Sequence, residues 1–413
     1  MRDRLDGEAD AATPAGGPRD VTEPSWHPAT VRAVGSSGRY GRGSRRASLR
    51  VRRRRTVVGA AALVLLALLA VVVLGPGRSG PAGTPATGAR LDRQPPSGAP
   101  ATTGRVETSA LASSLPAPLS REGALALGHG QVLLLGGLTS ADTSSSAVAV
   151  LDTVTGTVST VGTLAVPTHD AGSAISGRQA LLFGGGQATS VATVEAFPTA
   201  AAGPGTATTS TAAQVVGTLP SARSDDVAVS AGGTTYVVGG YDGTVGEPGV
   251  LATSNGRTFR TVATLPVPVR YPAVAAVDGL LYVFGGEAVS GPQAGQPVAD
   301  LQVVDPARHT ARVAGYLNRP LEGAAAMVLG GQIYVAGGDS SAAPGAAPAA
   351  TPVTVPTVWR YDPRRGTTTV VAHLPVPISN AGVAVSGTTA WLVGGETDGT
   401  VRAVVQRISV VRA

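Results

Sequence analysis

"LLYVFGGE", Leu280–Glu287, is a short apolar run that ends on two glycines and an acid. Five large apolar residues in a row fit a buried strand, and the glycine pair fits a tight exit from it. The same phrase returns along the chain as VLLLGGL, ALLFGGG, TYVVGGY, IYVAGGD and AWLVGGE. The leading glycines are Gly136, Gly184, Gly239, Gly285, Gly337 and Gly394, so the spacing runs from 46 to 57 residues. A period of that length belongs to arrays whose unit is a four-stranded sheet.

The unit around Gly285 reads strand by strand. AVAAV (273–277) and LLYVF (280–284) are joined by Asp278-Gly279, a tight hairpin signal. LQVVD (301–305) is a third strand, the PARH that follows a turn, and TARVAGYL (310–317) a fourth. The units around Gly239 and Gly337 repeat this plan. One such sheet cannot bury both of its faces, so successive units must stack, and radial stacking makes a β-propeller.

On these residues the chain resembles the kelch family. The strand–GG signature recurs at Gly136/Gly137, Gly184/Gly185, Gly239/Gly240, Gly285/Gly286, Gly337/Gly338 and Gly394/Gly395. Tyr236, Tyr282 and Tyr334 precede three of the pairs, and Asp305–Pro306 and Asp362–Pro363 supply the turn. The resemblance covers about residues 105–413 and implies an all-β, six-bladed propeller. Two departures stand out. The tryptophan usual at the start of the fourth strand is missing from every unit, and residues 193–214 stretch the second unit. The last unit also stops one strand short. RVETSALASSLPAP (105–118) resembles the other fourth-strand endings, so Val106–Ala112 is expected to close the ring against Val404–Val411.

Composition bounds the chemistry. The 413 residues contain no cysteine, which excludes disulfides, thiolate catalysis and Cys-ligated metal. The formal charge of +6 is uneven: residues 1–55 hold 13 Arg against 6 acids, and the remainder 19 Arg against 20. A nearly neutral body lacks the basic patch that nucleic-acid binding requires.

Residues 1–55 are polar, rich in Gly, Pro, Ser and Arg, and read as a disordered tail ending in the basic run Arg50–Arg55. Thr56–Leu74 carries no charged or strongly polar side chain except Thr56 and is long enough to cross a bilayer as a helix. The arginines before it place the N-terminus in the cytoplasm and the rest outside, as a signal-anchor in the cell membrane; a cleaved signal is the alternative. Residues 75–104, rich in Gly, Pro and Ala, read as a stalk. RRAS (45–48) matches a short basic-directed phosphorylation motif.

In a propeller the 2–3 loops and the 4–1 connections share one face. The 4–1 connections carry Arg121, His169, Asp170, Arg223, Asp225, Asp226, Arg270, Tyr271, Glu322 and Asn380. Tyr241, Asp242, Glu287, Asp339 and Glu396 follow the glycine pairs. This polar ring is the candidate ligand face, its charges expected to lie beyond the strands and to add little to blade stacking.

The expected function is non-catalytic recognition of a protein or glycan, with no cofactor and no metal. The alternative is a sugar-active propeller, a hydrolase or mutarotase. Some kelch-like propellers resemble galactose oxidase, whose copper site needs a cysteine that this chain lacks. Sialidases use three arginines with a Tyr/acid pair, which Arg121, Arg223, Arg270 and Tyr271 imitate. SNGRTF (254–259) resembles a sialidase Asp-box without its Asp, or is an Asn-Gly turn. The five histidines show no metal-ligand spacing.

Overall fold

The computed structural model describes residues 104–202, 211–341 and 352–411. The expected tail and span, and all of the expected stalk but Gly104, lie outside them. Among the described residues no helix is long and apolar enough to cross a membrane.

Six sheets of four antiparallel blade strands follow one another, and Thr211–Ala212 adds a fifth, parallel strand to the outer edge of the first. Blade 1 is Gly123–Gly128, Gln131–Leu135, Ala147–Asp152 and Val158–Thr163. Blade 2 is Gly172–Ser176, Gln179–Phe183, Thr193–Pro198 and Gln214–Thr218. Blade 3 is Val227–Ala231, Thr234–Val238, Gly249–Thr253 and Arg260–Thr264. Blade 4 is Ala273–Val277, Leu280–Phe284, Asp300–Asp305 and Thr310–Tyr316. Blade 5 is Ala325–Leu329, Gln332–Ala336, Thr357–Asp362 and Thr367–His373. Blade 6 takes Gly382–Ser386, Thr389–Val393 and Val405–Val411 from the end of the chain, and Arg105–Ala110 from its beginning. That closing strand pairs antiparallel from Arg105↔Val411 to Ala110↔Gln406. The expected closure is therefore present, within a residue or two of the expected register.

The first strand of each blade lies against the first strands of its two neighbours, around a central channel. Apolar side chains fill the gaps between blades. The core accordingly divides into six clusters, one per interface, and Ala124, Val132 and Leu134 of blade 1 pack on Ala384, Val393 and Val405 of blade 6. The expected stacking of sheets that cannot bury both faces alone is thus realised at every seam.

On one rim the third-to-fourth-strand turns are held by side-chain caps. Asp305 Oδ1 accepts from the amides of Ala307 (3.1 Å) and Arg308 (3.0 Å), and Asp362 Oδ1 from Arg364 and Arg365. Asn255 Oδ1 does the same for Arg257 (2.9 Å) and Thr258 (3.0 Å). SNGRTF is thus a capped turn.

On the opposite rim the glycine pair links blades. The second glycine of every pair donates its amide to a carbonyl of the following blade. The acceptors are Thr168, Arg223, Val269, Leu321 and Ile378, and Gly395 of blade 6 returns to Leu119 of blade 1, at 2.7 to 2.9 Å. Gly285 has φ +58° and Gly286 φ +100°, a conformation that side chains disfavour. A Cβ on Gly285 would fall 2.1 Å from the Leu321 carbonyl oxygen. The repeated phrase is an inter-blade joint.

Gly285→Ala is expected to cost about 3 kcal/mol, through both φ strain and a backbone collision. Gly291→Ala has a similar φ of +79° and open space around it, and should cost about 1 kcal/mol. Thermal melts of the two variants test this; equal melting temperatures would mean that the joint tolerates a side chain.

Candidate functional site

The site is built on a second set of peptide bonds. One residue from each 4–1 connection turns to positive φ: Arg121 (57°), Asp170 (56°), Asp225 (61°), Tyr271 (52°), Gly323 (59°) and Asn380 (52°). Each donates its amide to the carbonyl of the preceding one, and Arg121 donates to Asn380, at 2.8 to 3.1 Å. Six backbone hydrogen bonds therefore form a closed ring around the channel mouth. Positive φ is costly for non-glycine residues, and strain of this kind collects at functional sites.

The residue before each ring position pairs with the residue beyond a glycine pair. The pairs are Ser120 with Leu138, His169 with Gly186, Ser224 with Tyr241, Arg270 with Glu287, Glu322 with Asp339, and Ser379 with Glu396. The 2–3 loops and 4–1 connections thus share one face, as expected.

Side chains from the ring meet over the axis. Arg121 of blade 1 reaches across to blade 4, donating from Nη1 to the Tyr271 hydroxyl (2.7 Å) and to Asp170 Oδ2 (3.0 Å). Its Nε donates to Glu396 Oε1 at 2.7 Å, and Glu396 also accepts from Ser120 (2.9 Å) and Asn380 (3.3 Å). Arg270 holds Glu287 through two 3.0 Å bonds, approaches Asp225 at 3.5 Å, and stacks 5.4 Å from the rings of both Tyr241 and Tyr271. Ser144 Oγ lies 2.8 Å from His169 Nδ1, and His169 Nε2 lies 3.6 Å from Asp170. Asp170 is already held by Arg121 and Tyr271, so this row of serine, histidine and aspartate positions the histidine rather than arming the serine.

Charge states follow from burial and neighbours. Burial, then Asp170 and Asp225, push the Tyr271 phenol well above its ordinary value, so it stays protonated as a donor. Burial, then Asp170, raise Asp225 to about 7. Burial, then Glu287 and Asp339, raise Glu322 to about 8, and burial lifts Asp339, which accepts from Thr354 at 2.6 Å. Burial opposes the Glu396 charge, but Arg121, Ser120 and Asn380 hold it below its ordinary value. Asp242 is half-buried and caps its own loop through the amides of Thr244 and Val245.

Two candidates lie elsewhere than expected. Arg223 is only 1% exposed and donates to the carbonyls of Gly239 and Gly249 (3.1 Å each) and to Glu247 (3.2 Å), all in its own blade. Its position relative to the ring is that of Leu119, Val269, Leu321 and Ile378, which are apolar; strand alternation turns this position inward. Asp226, 6% exposed, lies against Gly172, whose Cβ would meet its Oδ2 at 2.6 Å. Both side chains belong to the packing of the blades, contrary to the expected small part in stacking. Arg121, Arg270 and Tyr271 do converge, with Asp170 and Asp225, but without Arg223. Glu122 escaped sequence reasoning. It is the residue after Arg121 and the counterpart of Asp226, a match visible only once the six connections are aligned in register.

These features define a six-bladed β-propeller with a polar mouth. The Kelch motif model matches residues 320–372. Among solved structures the chain is similar to that described as "Structure of YjhT", at 14% identity and a TM-score of 0.56, over 71% of this chain and 96% of that one. No curated protein matches the sequence. Among the described residues no group of three or more His, Asp or Glu is placed to hold a metal ion.

Glu122 yields a pH test. It is 5% exposed and sits in the seam between blades 1 and 6, where a Cβ on Gly382 would come within 2.9 Å of Oε1. Burial raises it from 4.5 to about 8, offset only in part by peptide groups. A raised carboxyl favours folding below its unfolded value, and that contribution is lost as pH climbs from about 4.5 to about 8. Glu122→Gln should melt like the parent near pH 4 and be more stable by several kcal/mol near pH 8. Parallel stability curves would show that Glu122 is not buried in this state.

Proposed function

We propose that this chain is a membrane-anchored recognition module whose propeller binds a protein or glycan through its loop face, without catalysis. Thr56–Leu74 anchors it in the cell membrane, with residues 1–55 in the cytoplasm, and the propeller lies outside on the 75–104 stalk. The observation that supports recognition is Arg270, 30% exposed at the rim, stacked between Tyr241 and Tyr271 and fixed by Glu287. Arginine and tyrosine in a pre-ordered cluster are the residues in which binding energy concentrates. Pairing of both mouth arginines with carboxylates, and a phenol held protonated, favour binding over chemistry. Gly104 lies beside Val411 on the rim of the 3–4 turns, opposite the loop face.

Convergence of Arg121, Arg270, Tyr271, Asp170 and Asp225 favours a second reading, a sugar-active enzyme. Turnover of a glycan captured at this face would select that reading.

Glycan-array and cell-surface pull-down experiments should give capture that falls about tenfold or more in Tyr241→Ala/Arg270→Ala. Exposed Arg257→Ala, on the opposite rim, should bind like the parent. Equal capture by all three proteins, with circular dichroism unchanged, would place the site elsewhere. The topology is tested separately. Protease added to intact cells should release the propeller, and its protection would overturn the orientation.

A further inference from the structure

A channel runs along the axis behind the mouth. Its volume is about 490 Å³, inside the range of small-molecule sites. Its walls are the six first strands, and much of their lining is small or aliphatic, including Ala126, Val229, Ala276, Ala326 and Val383. Charged groups in the lining are confined to the mouth end, where four carboxyls, Glu122, Asp170, Asp225 and Asp226, stand with one lining cation, Arg121, and with Arg223 and Arg270 behind Asp226 and Asp225.

Arg121 is already divided between Asp170 and Glu396. Asp225, hydrogen-bonded to Ser224 and Tyr271, has a 3.5 Å approach from Arg270, which is itself held by Glu287. Asp226 and Glu122 are buried in the channel wall with no side-chain hydrogen bond, and only Asp226 has a cation, Arg223, nearby. The Arg121–Tyr271 bond crosses the mouth above this group. The bore therefore has one polar end that is short of positive charge. Its other end is bordered by the small first-to-second-strand turns at Gly130, Gly177, Gly233, Gly279, Gly331 and Gly387. A buried carboxylate without a counter-charge is costly, and a cation that brings its own apolar surface relieves that cost and fills the bore together.

We propose that the channel binds a primary alkylammonium ion, its head beneath the Arg121–Tyr271 bridge between Asp170 and Asp225 and its chain along the alanine- and valine-lined bore. The ligand lies within the channel rather than on the loops, although its head shares Arg121, Asp170, Asp225 and Tyr271 with the mouth.

Binding of this kind is coupled to protons. The groups facing Asp225 are Asp170, Asp226 beside it in the same connection with Arg223 behind, Arg270 and Tyr271 from blade 4, and Arg121 through Tyr271. In the empty channel Asp225 takes up a proton near pH 7. A bound ammonium displaces that proton, so affinity rises as pH increases through this value and falls below it.

Calorimetric titration of the full-length chain with n-hexylammonium, n-hexanol and methylammonium tests the proposal. Near pH 8 hexylammonium should bind about tenfold or more tighter than either of the others. Near pH 5.5 its advantage over hexanol should shrink to about threefold or less. Asp225→Asn should reduce that advantage at the higher pH, and Ala276→Leu should weaken hexylammonium and hexanol together. Hexanol binding as tightly as hexylammonium would show a merely apolar cavity. Equal binding of methylammonium would show simple ion pairing. Either result, or no binding at all, overturns the proposal. If Asp225→Asn does not fold, the pH series and Ala276→Leu decide the matter.

Discussion

One backbone hydrogen bond, repeated six times, holds the architecture in register: the amide of the second glycine in each pair reaching a carbonyl of the next blade. It requires the chain to leave the second strand at positive φ and to come within van der Waals distance of another blade's backbone. Only glycine meets both demands at little cost. The apolar clusters between blades supply most of the attraction, but they are made of interchangeable Val, Ala and Leu and would tolerate sliding. The directional bond sets how far each blade turns relative to the last. Six equal turns close a circle, and Gly395 on Leu119 completes it with the same contact as every other seam.

That closure also builds the mouth. Once the 4–1 connections are drawn together, their ring residues bond amide to carbonyl around the axis. The side chains of Arg121, Asp170, Asp225 and Tyr271 are then forced into one small volume. Their charges are not free to relax, because each is carried on a peptide fixed by neighbours on both sides. Hence Asp225 and Glu322 are raised by burial and by neighbouring carboxylates, while Glu396, which gains Arg121, is lowered. Pre-organisation of this sort suits binding, since little ordering entropy remains to be lost when a ligand arrives. The same crowding leaves the channel end acidic.

The fold was legible in local signals. Each glycine pair after an apolar strand marks a strand end, and the likeness of residues 105–118 to the other fourth-strand endings pointed to the closing strand. The loop face was legible as well, because strand alternation assigns every 4–1 connection and 2–3 loop to one rim. Within that face the reading was coarse. Arg223 and Arg270 look alike in sequence, yet one stands two residues before a ring position and the other stands one before. A shift of one residue along an extended chain reverses the side chain, so Arg223 enters blade 3 and Arg270 meets Glu287 at the rim.

What local chemistry dictates, the chain carries openly: apolar strand length, glycine where φ must be positive, Asp or Asn where a turn needs a cap, and a spacing that calls for stacked sheets. What depends on partners about fifty residues away became visible only when the ring closed. The peptide ring, the bridge from Arg121 to Tyr271, and the burial of Glu122 and Asp226 all join different blades. No window of sequence contains both members of those contacts. The physical reason is that a carboxylate or a phenol takes its charge state from the groups packed around it. In a propeller those groups come from neighbouring blades, and across the axis from the opposite one.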